Sequence, residues 1–213
     1  MKPEPAVPGK PAYWDRAKRT LSRGDPVLAA IIRRHPRVHL APRGEPFHTL
    51  ARAIVGQQIS VKAAQSVWDR FASLAVEVRP ERVLALQRPQ LRACGLSERK
   101  CEYIADLARR FADGEVHVHR WPDMDDEAVI ADLTQVRGIG RWTAEMFLMF
   151  NLLRPDVFPL DDLGLQKGIR LAYHAGRAIS LGTLRRRGEG WRPYRSVATW
   201  YLWRSLDPVP VEY

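Results

Sequence analysis

The chain has 213 residues, with 34 Lys and Arg against 24 Asp and Glu, and a formal net charge of +10. This length can form one compact domain or two interlocked lobes with a sizeable core. The basic residues are spread along the chain, which favours a folded protein with a polyanionic partner, most commonly nucleic acid, over a basic surface without a partner.

The composition excludes several classes of site. Two cysteines, Cys94 and Cys101, are too few for a disulfide framework, a four-cysteine zinc site or an iron–sulfur cluster, and we expect buried thiols. His117 and His119 form an H-x-H pair that is more typical of a loop or surface than of a metal site. No stretch reaches the ~18–20 apolar residues of a membrane span, and the start lacks the apolar region of a signal peptide. We therefore expect a cytoplasmic protein. No nucleotide cofactor is expected.

Helical periodicity dominates the chain. Residues 1–10 contain three prolines and are predicted to be a disordered lead-in. Apolar residues three and four apart predict helices over Ala12–Leu21, Pro26–Arg34, Phe47–Val55, Val61–Leu74, Arg99–Phe111, Asp125–Leu133 and Thr143–Phe150. Another helix is predicted to start at Asp161-Asp162, and an aromatic one to span Pro193–Leu206. The Arg-rich Arg185–Gly188 between them is predicted to be a solvated loop rather than a phosphate contact. Strand-like alternation is confined to Val38–Leu40 and Val116–His119, so the predicted fold is all-α.

The segment Val-Arg-Gly-Ile-Gly-Arg-Trp-Thr-Ala, residues 136–144, is the most informative one. Gly138 and Gly140 flank the apolar Ile139 between two helical patterns. Glycines allow a tight turn, positive φ and close approach to another molecule. The following helix opens at Thr143-Ala144, and its first N–H groups together with the helix dipole form an anion site. Taken alone, a G-x-G between helices is more often an ordinary turn.

The whole string resembles the helix-hairpin-helix DNA glycosylase superfamily, and most closely its bacterial 3-methyladenine DNA glycosylase II branch. The hairpin is followed by a Pro-rich loop and an Asp that opens a helix, as in that family. Three more segments match in order over roughly residues 12–206: Ala53–Ala64, Gly95–Ile104, and Trp191–Ser196 with Trp203 behind it. One departure is Arg137, which stands where the family usually has Pro and adds a charge beside the phosphate.

The resemblance implies two helical lobes with a DNA-binding cleft between them. Residues 46–154 would form a helical barrel that ends in the hairpin, and residues 11–45 would pack with 155–213. The implied activity is hydrolysis of the N-glycosidic bond of a flipped alkylated purine, 3-methyladenine or 7-methylguanine, in duplex DNA during base excision repair. The implied catalytic carboxylate is Asp162, which would stabilise positive charge on the sugar and activate water. We expect Asp161 to be the helix N-cap.

Further roles follow from the same resemblance. Trp142 occupies the slot of the Schiff-base Lys of strand-nicking relatives, which predicts a monofunctional enzyme. Trp142 and Trp203 are expected to line the base pocket, and Gln58 to fill the gap left by the flipped nucleotide. The predicted DNA contacts are Gln57, Gln58, Gly138, Gly140, Arg141 and Thr143. A structural Na⁺ or K⁺ would be held by the main chain of Val136 and Ile139.

Two other functions remain open at this stage. One is a non-catalytic helix-hairpin-helix module that binds DNA only through phosphate, which would need neither Asp162 nor the aromatic pair. The other is a bifunctional glycosylase and AP lyase, which Trp142 and the missing cysteine quartet disfavour. The expected partner is double-stranded DNA with alkylated bases, bound by a monomer.

Overall fold

A computed structural model of the chain describes residues 9–206, and every regular element in that range is a helix. The α-helices are α1 Trp14–Gly24, α2 Pro26–Arg34, α3 Pro46–Gly56, α4 Val61–Ala75, α5 Pro80–Leu84, α6 Arg88–Ala93, α7 Glu98–Ala112, α8 Asp126–Thr134, α9 Arg141–Phe150, α10 Leu163–His174, α11 Leu181–Glu189 and α12 Arg195–Leu206, with a 3₁₀-helix at Val118–Asp123 between α7 and α8. The all-α prediction is confirmed. None of these helices is long and apolar enough to cross a membrane. The predicted lead-in, residues 1–10, lies outside the described residues except for its last two.

Local signals place most helix starts. The side chains of six N-cap residues accept a backbone N–H from the first turn of their helix: Asp25, Ser60, Ser97, Asp125, Asp162 and Ser180. Proline occupies the first turn of α2, α3, α5 and α6, where its missing N–H costs nothing. Because such caps each contribute about 1 kcal/mol, helix boundaries can be predicted from sequence.

The strand alternative at Val116–His119 is wrong, and a buried carboxylate explains why. Asp132 on α8 accepts hydrogen bonds from the His117 backbone N–H at 3.0 Å, and from Trp121 Nε1 at 2.8 Å, while His117 Nδ1 lies 2.8 Å from its other oxygen. These contacts hold the segment in a 3₁₀ turn. Burial raises the pKa of Asp132, but the His117 and Trp121 hydrogen bonds lower it by more. The other strand candidate, Val38–Leu40, has no regular structure.

The prediction of a loop at Arg185–Gly188 is also wrong, because these residues belong to α11. The side chain of Ser180 caps the helix, and Leu184 and Gly188 are buried four residues apart. A Cβ at Gly188 would come within 2.7 Å of the Phe158 ring. The glycine that suggested a loop therefore permits close packing of a helix.

The described residues divide into two compact units. The discontinuous unit contains residues 9–42 and 148–206, and the continuous unit contains residues 43–147. The barrel was predicted to span residues 46–154, whereas the observed divisions fall after residues 42 and 147, the second of them within α9. Large buried side chains form each core: Trp14, Leu28, Ile31, Leu40, Trp191 and Tyr201 in the first, and Leu50, Ile54, Phe71, Leu96, Ile104 and Trp121 in the second.

Candidate active site

Asp162 is the N-cap of α10. Its Oδ1 accepts the Leu165 backbone N–H at 2.6 Å, and the Gln166 N–H bonds to its carbonyl at 3.0 Å. The prediction that Asp161 caps this helix is wrong: the Asp162 N–H bonds to Pro159 O at 2.9 Å, a turn that makes Asp162 the last residue before the helix. Asp161 is exposed, whereas the Asp162 side chain is buried. The expected catalytic carboxylate is therefore itself the cap, at the positive end of a helix dipole.

Trp203 binds the same carboxylate oxygen. Its Nε1 donates to Asp162 Oδ1 at 2.8 Å, and its ring lies nearly parallel to Phe150, with centroids 6.0 Å apart at 12°. Gly164 leaves room for this contact, because a Cβ there would lie 3.1 Å from both hydrogen-bonded atoms. The predicted pocket residue thus also holds the carboxylate.

The hairpin between α8 and α9 depends on one of its two glycines more than on the other. Gly138 has φ +83°, and a Cβ there would lie 2.2 Å from the Tyr103 ring. At Gly140 a Cβ would meet open space. The Ile139 N–H closes the turn onto Val136 O at 3.1 Å, and both side chains are buried. The hairpin therefore needs glycine at 138 for conformation and for packing.

Two side chains outside the hairpin hold its main chain. Gln57, at the end of α3, donates from Nε2 to Gly138 O at 2.8 Å. Asp106 on α7 accepts the Arg137 backbone N–H at 2.9 Å. Burial raises the pKa of Asp106, but the hydrogen bonds from Arg137 and from the Arg110 side chain lower it by more. Gln57 was predicted to contact DNA, and the structure shows it supporting the hairpin.

Sequence reasoning missed three residues of this arrangement, namely Tyr103, Asp106 and Phe150. Tyr103 lies inside the Gly95–Ile104 segment that resembles the family, but the resemblance assigned no role to this residue. Asp106 and Phe150 carried no local signal, because their partners are 31 and 53 residues away.

The residues that open α9 differ in their surroundings. The Arg141 guanidinium binds Glu127, and its Nε lies 3.1 Å from Glu145 Oε1. The Glu127 hydrogen bond is the main reason that the pKa of Arg141 is raised. Trp142 is 37% exposed, whereas Thr143 is buried. The charge of Arg141 is thus shared with two carboxylates, and a DNA contact by its side chain stays a prediction.

Gln58 occupies a strained and exposed turn. Its φ of +58° lies in the left-handed region, which costs a non-glycine residue roughly 1–2 kcal/mol. Ile59 and Val61, which follow, are 40% and 61% exposed. Strain at an exposed turn supports a functional role, and the gap-filling role of Gln58 stays a prediction.

Known proteins resemble this chain in sequence and in fold. The family model described as "HhH-GPD superfamily base excision DNA repair protein" matches residues 51–193. The chain belongs to this family. DNA-3-methyladenine glycosylase 1 of Schizosaccharomyces pombe is 34% identical over 165 residues, which cover 76% of this chain and 72% of that protein.

Two solved structures extend the similarity of this HhH-GPD protein to its fold. The DNA-3-methyladenine glycosidase of Bacillus halodurans has a TM-score of 0.82 and 34% identity, covering 90% of this chain and 89% of that one. The 3-methyladenine DNA glycosylase of S. pombe, in complex with abasic DNA, has a TM-score of 0.78 and 30% identity, covering 92% of this chain and all of that one.

The family span of this HhH-GPD chain contains the hairpin and Asp162, whereas Trp203 lies beyond its end. Within that span, residues 51–147 belong to the continuous unit and residues 148–193 to the discontinuous unit. The indole that binds the carboxylate is therefore located by the structure rather than by the family match.

Proposed function

We propose that this HhH-GPD protein removes alkylated purines from duplex DNA by hydrolysing their N-glycosidic bond, leaving an abasic site in base excision repair. The observation that carries the proposal is the Asp162 carboxylate, which two N–H donors hold at the start of α10. Relatives named 3-methyladenine glycosylases, one of them bound to abasic DNA, support the substrate class.

The chemistry follows from where charge develops. Departure of the base leaves positive charge on the sugar, which a fixed carboxylate stabilises without reorganising in the transition state. Leu165 N–H and Trp203 Nε1 both donate to Oδ1 and so limit rotation of the Asp162 side chain. The same carboxylate can orient or deprotonate the attacking water.

Base recognition is assigned to aromatic side chains. Stacking a cationic base on Trp203 adds a cation–π interaction of about 0.5–2 kcal/mol, or roughly two- to thirtyfold over a neutral base. Trp142, exposed at the start of α9, is proposed as another base contact. Because the aromatic preference is small, the intrinsic lability of cationic alkylated purines must supply most of the selectivity.

An excision assay tests this function. Methylated duplex DNA is incubated with the full chain, and the released bases are separated by chromatography. We expect fast release of 3-methyladenine, slower release of 7-methylguanine, and little or no release of uracil or 8-oxoguanine. Faster release of uracil or 8-oxoguanine would contradict the proposed pocket, and binding without any release would favour the non-catalytic module.

The resemblance also favours a monofunctional enzyme, because it implies that Trp142 takes the position of the Schiff-base amine of strand-nicking relatives. Borohydride should trap no covalent adduct between protein and DNA, and product strands should stay intact until alkali is added. A trapped adduct would show the bifunctional activity instead.

The hairpin is proposed to hold a monovalent cation through the main-chain oxygens of Val136 and Ile139. Carbonyl oxygens are suitable ligands for hard cations. Val136 O accepts one hydrogen bond, from the Ile139 N–H, and a carbonyl has a second lone pair. A bound cation would offset phosphate charge. Duplex affinity in K⁺ should exceed that in tetramethylammonium at equal ionic strength, and equal affinities would argue against the cation.

The monomer and the cytoplasmic location also stay proposals. Light scattering behind size-exclusion chromatography should give a mass near the 24.4 kDa of one chain. A mass of twice that value would contradict the monomer.

A further inference from the structure

The hairpin residue Arg137 has a charged side chain that is not paired with a carboxylate within residues 9–206. Its side chain is exposed, and within residues 9–206 its guanidinium makes no hydrogen bond or ion pair. Arg141, four residues later, is instead bound by Glu127 and Glu145. The two arginines flank the same two-glycine turn, so their difference in pairing comes from the carboxylates within reach of each side chain.

The main chain of Arg137 is held in place although its side chain is not. The Arg137 N–H donates to Asp106 at 2.9 Å, and the next residue, Gly138, lies against the Tyr103 ring and accepts from Gln57 at 2.8 Å. The guanidinium therefore extends from a fixed point. A proline at this position could neither donate to Asp106 nor carry a charge.

The geometry favours a phosphate as the ligand. Arg137 lies three residues before Gly140, a span of at most about 10 Å, and the first N–H groups of α9 follow there. A phosphate bound at the start of α9 would thus lie near the guanidinium, as would its neighbours along the strand. The planar guanidinium binds phosphate oxygens through two parallel N–H bonds.

We propose that Arg137 binds the DNA backbone beside the hairpin, and that Asp106 is a positioning residue that orients it. The proposal rests on the proposed function for the presence of DNA, and it adds Arg137 to the predicted DNA contacts. Phosphate contacts carry no base information, so the contribution should be the same for every DNA sequence.

The test is the salt dependence of binding to a duplex that contains a stable abasic-site analogue. Arg137→Ala should reduce the slope of log affinity against log salt by about 1, as loss of one phosphate contact does. Arg137→Lys should keep the slope, because the charge remains, while Arg137→Pro should reduce it as Ala does. Asp106→Ala should weaken binding more in the wild-type background than in the Arg137→Ala background, whereas a merely structural role would give equal losses in both.

Arg82→Ala is the matched control. Arg82 is an exposed cation of α5 in the same unit, so the variant has the same net charge as Arg137→Ala. Its slope should equal that of the wild type. A wild-type slope in Arg137→Ala, or equal reductions in the two variants, would overturn the proposal. If the wild type releases no methylated base but Arg137→Ala still reduces the slope, the glycosylase proposal fails and the phosphate contact stands.

Discussion

The two units of this protein differ sharply in charge. Among the described residues, the discontinuous unit has 18 Lys and Arg against 6 Asp and Glu, a formal charge of +12. The continuous unit has 15 of each and is formally neutral. All of the net positive charge of the described residues therefore belongs to the discontinuous unit, which carries Asp162, whereas the hairpin lies in the neutral continuous unit.

The comparison separates two ways of binding a polyanion. Excess positive charge attracts DNA because binding releases counterions, and this attraction does not depend on detailed geometry. The continuous unit pairs many of its arginines with carboxylates, as Arg88 does with Glu98 and Arg110 with Asp106. Its hairpin is instead positioned by directed contacts from Gln57, Tyr103 and Asp106. We infer that the discontinuous unit, here called the basic unit, attracts DNA of any sequence through its charge. The continuous unit, here called the neutral unit, fixes where the protein sits along the DNA backbone, which we call registration.

The largest loss of activity should come from replacing Asp162, the expected catalytic carboxylate of the basic unit. Asp162→Asn removes the carboxylate charge and should lower the rate of base release about 10²–10³-fold, the usual cost of losing one charge-stabilising group. Duplex affinity should stay near the wild-type value. Single-turnover release and anisotropy titrations measure the two quantities.

Asp161→Asn is the control for this change, because Asp161 is the exposed neighbour of Asp162. It should excise at the wild-type rate. Loss of activity in Asp161→Asn, or full activity in Asp162→Asn, would assign the chemistry to the wrong carboxylate.

Within the neutral unit, substitution of Gly138 should weaken DNA binding the most. An alanine there would adopt positive φ, costing about 1–2 kcal/mol, and would clash with Tyr103 at a cost of about 1–3 kcal/mol. We expect at least tenfold weaker binding to any duplex sequence, with a lower melting temperature.

Gly140→Ala should keep the wild-type melting temperature, since its Cβ would meet no other atom of the protein. Adding Tyr103→Ala to Gly138→Ala should recover part of the affinity. Normal binding by Gly138→Ala would show that the hairpin tolerates displacement and does not set registration.

A smaller effect is expected from the indole that holds Asp162. Trp203→Phe retains an aromatic ring beside Phe150 and removes a hydrogen bond to a charged group, which contributes about 1.5–3 kcal/mol. Only the part of this energy that positions Asp162 in the transition state affects the rate. We therefore expect kcat to fall roughly tenfold with little change in KM.

Trp200→Phe is the matched control for that experiment. Trp200 also contacts Phe150, but its buried indole nitrogen has no hydrogen-bond partner within residues 9–206. It should alter stability without lowering kcat. Equal losses of kcat in both variants would mean that Trp203 acts through packing alone.

The smallest effect should be the pH dependence that Asp106 gives the neutral unit. The pKa of Asp106 is lowered in the fold, so its stabilising contribution is present above the ordinary carboxyl pKa of about 4 and is lost as pH falls through the folded value. Below about pH 4 the wild type should lose unfolding free energy more steeply than Asp106→Asn. Urea titrations at several acidic pH values measure this, and parallel curves would refute it.

Local sequence patterns determined much of this protein. Capping serines and aspartates, helix-initiating prolines and apolar spacing set the helix boundaries, because their energies come from neighbouring residues. The order of motifs around Gly138 and Gly140 indicated the family and a phosphate-binding hairpin. Errors arose where one local signal had two meanings: a glycine beside arginines suggested a loop but packs against Phe158, and either Asp161 or Asp162 could have capped α10.

Only the tertiary structure decided which side chains act alone and which act through others. Gln57 bonds to a carbonyl 81 residues away, Asp106 to an N–H 31 residues away, and Trp203 to a carboxylate 41 residues away. The choice between Arg137 and Arg141 as the unpaired hairpin cation depends on Glu127, which lies on another helix. Such contacts depend on how helices pack, and no spacing within a single helix encodes them.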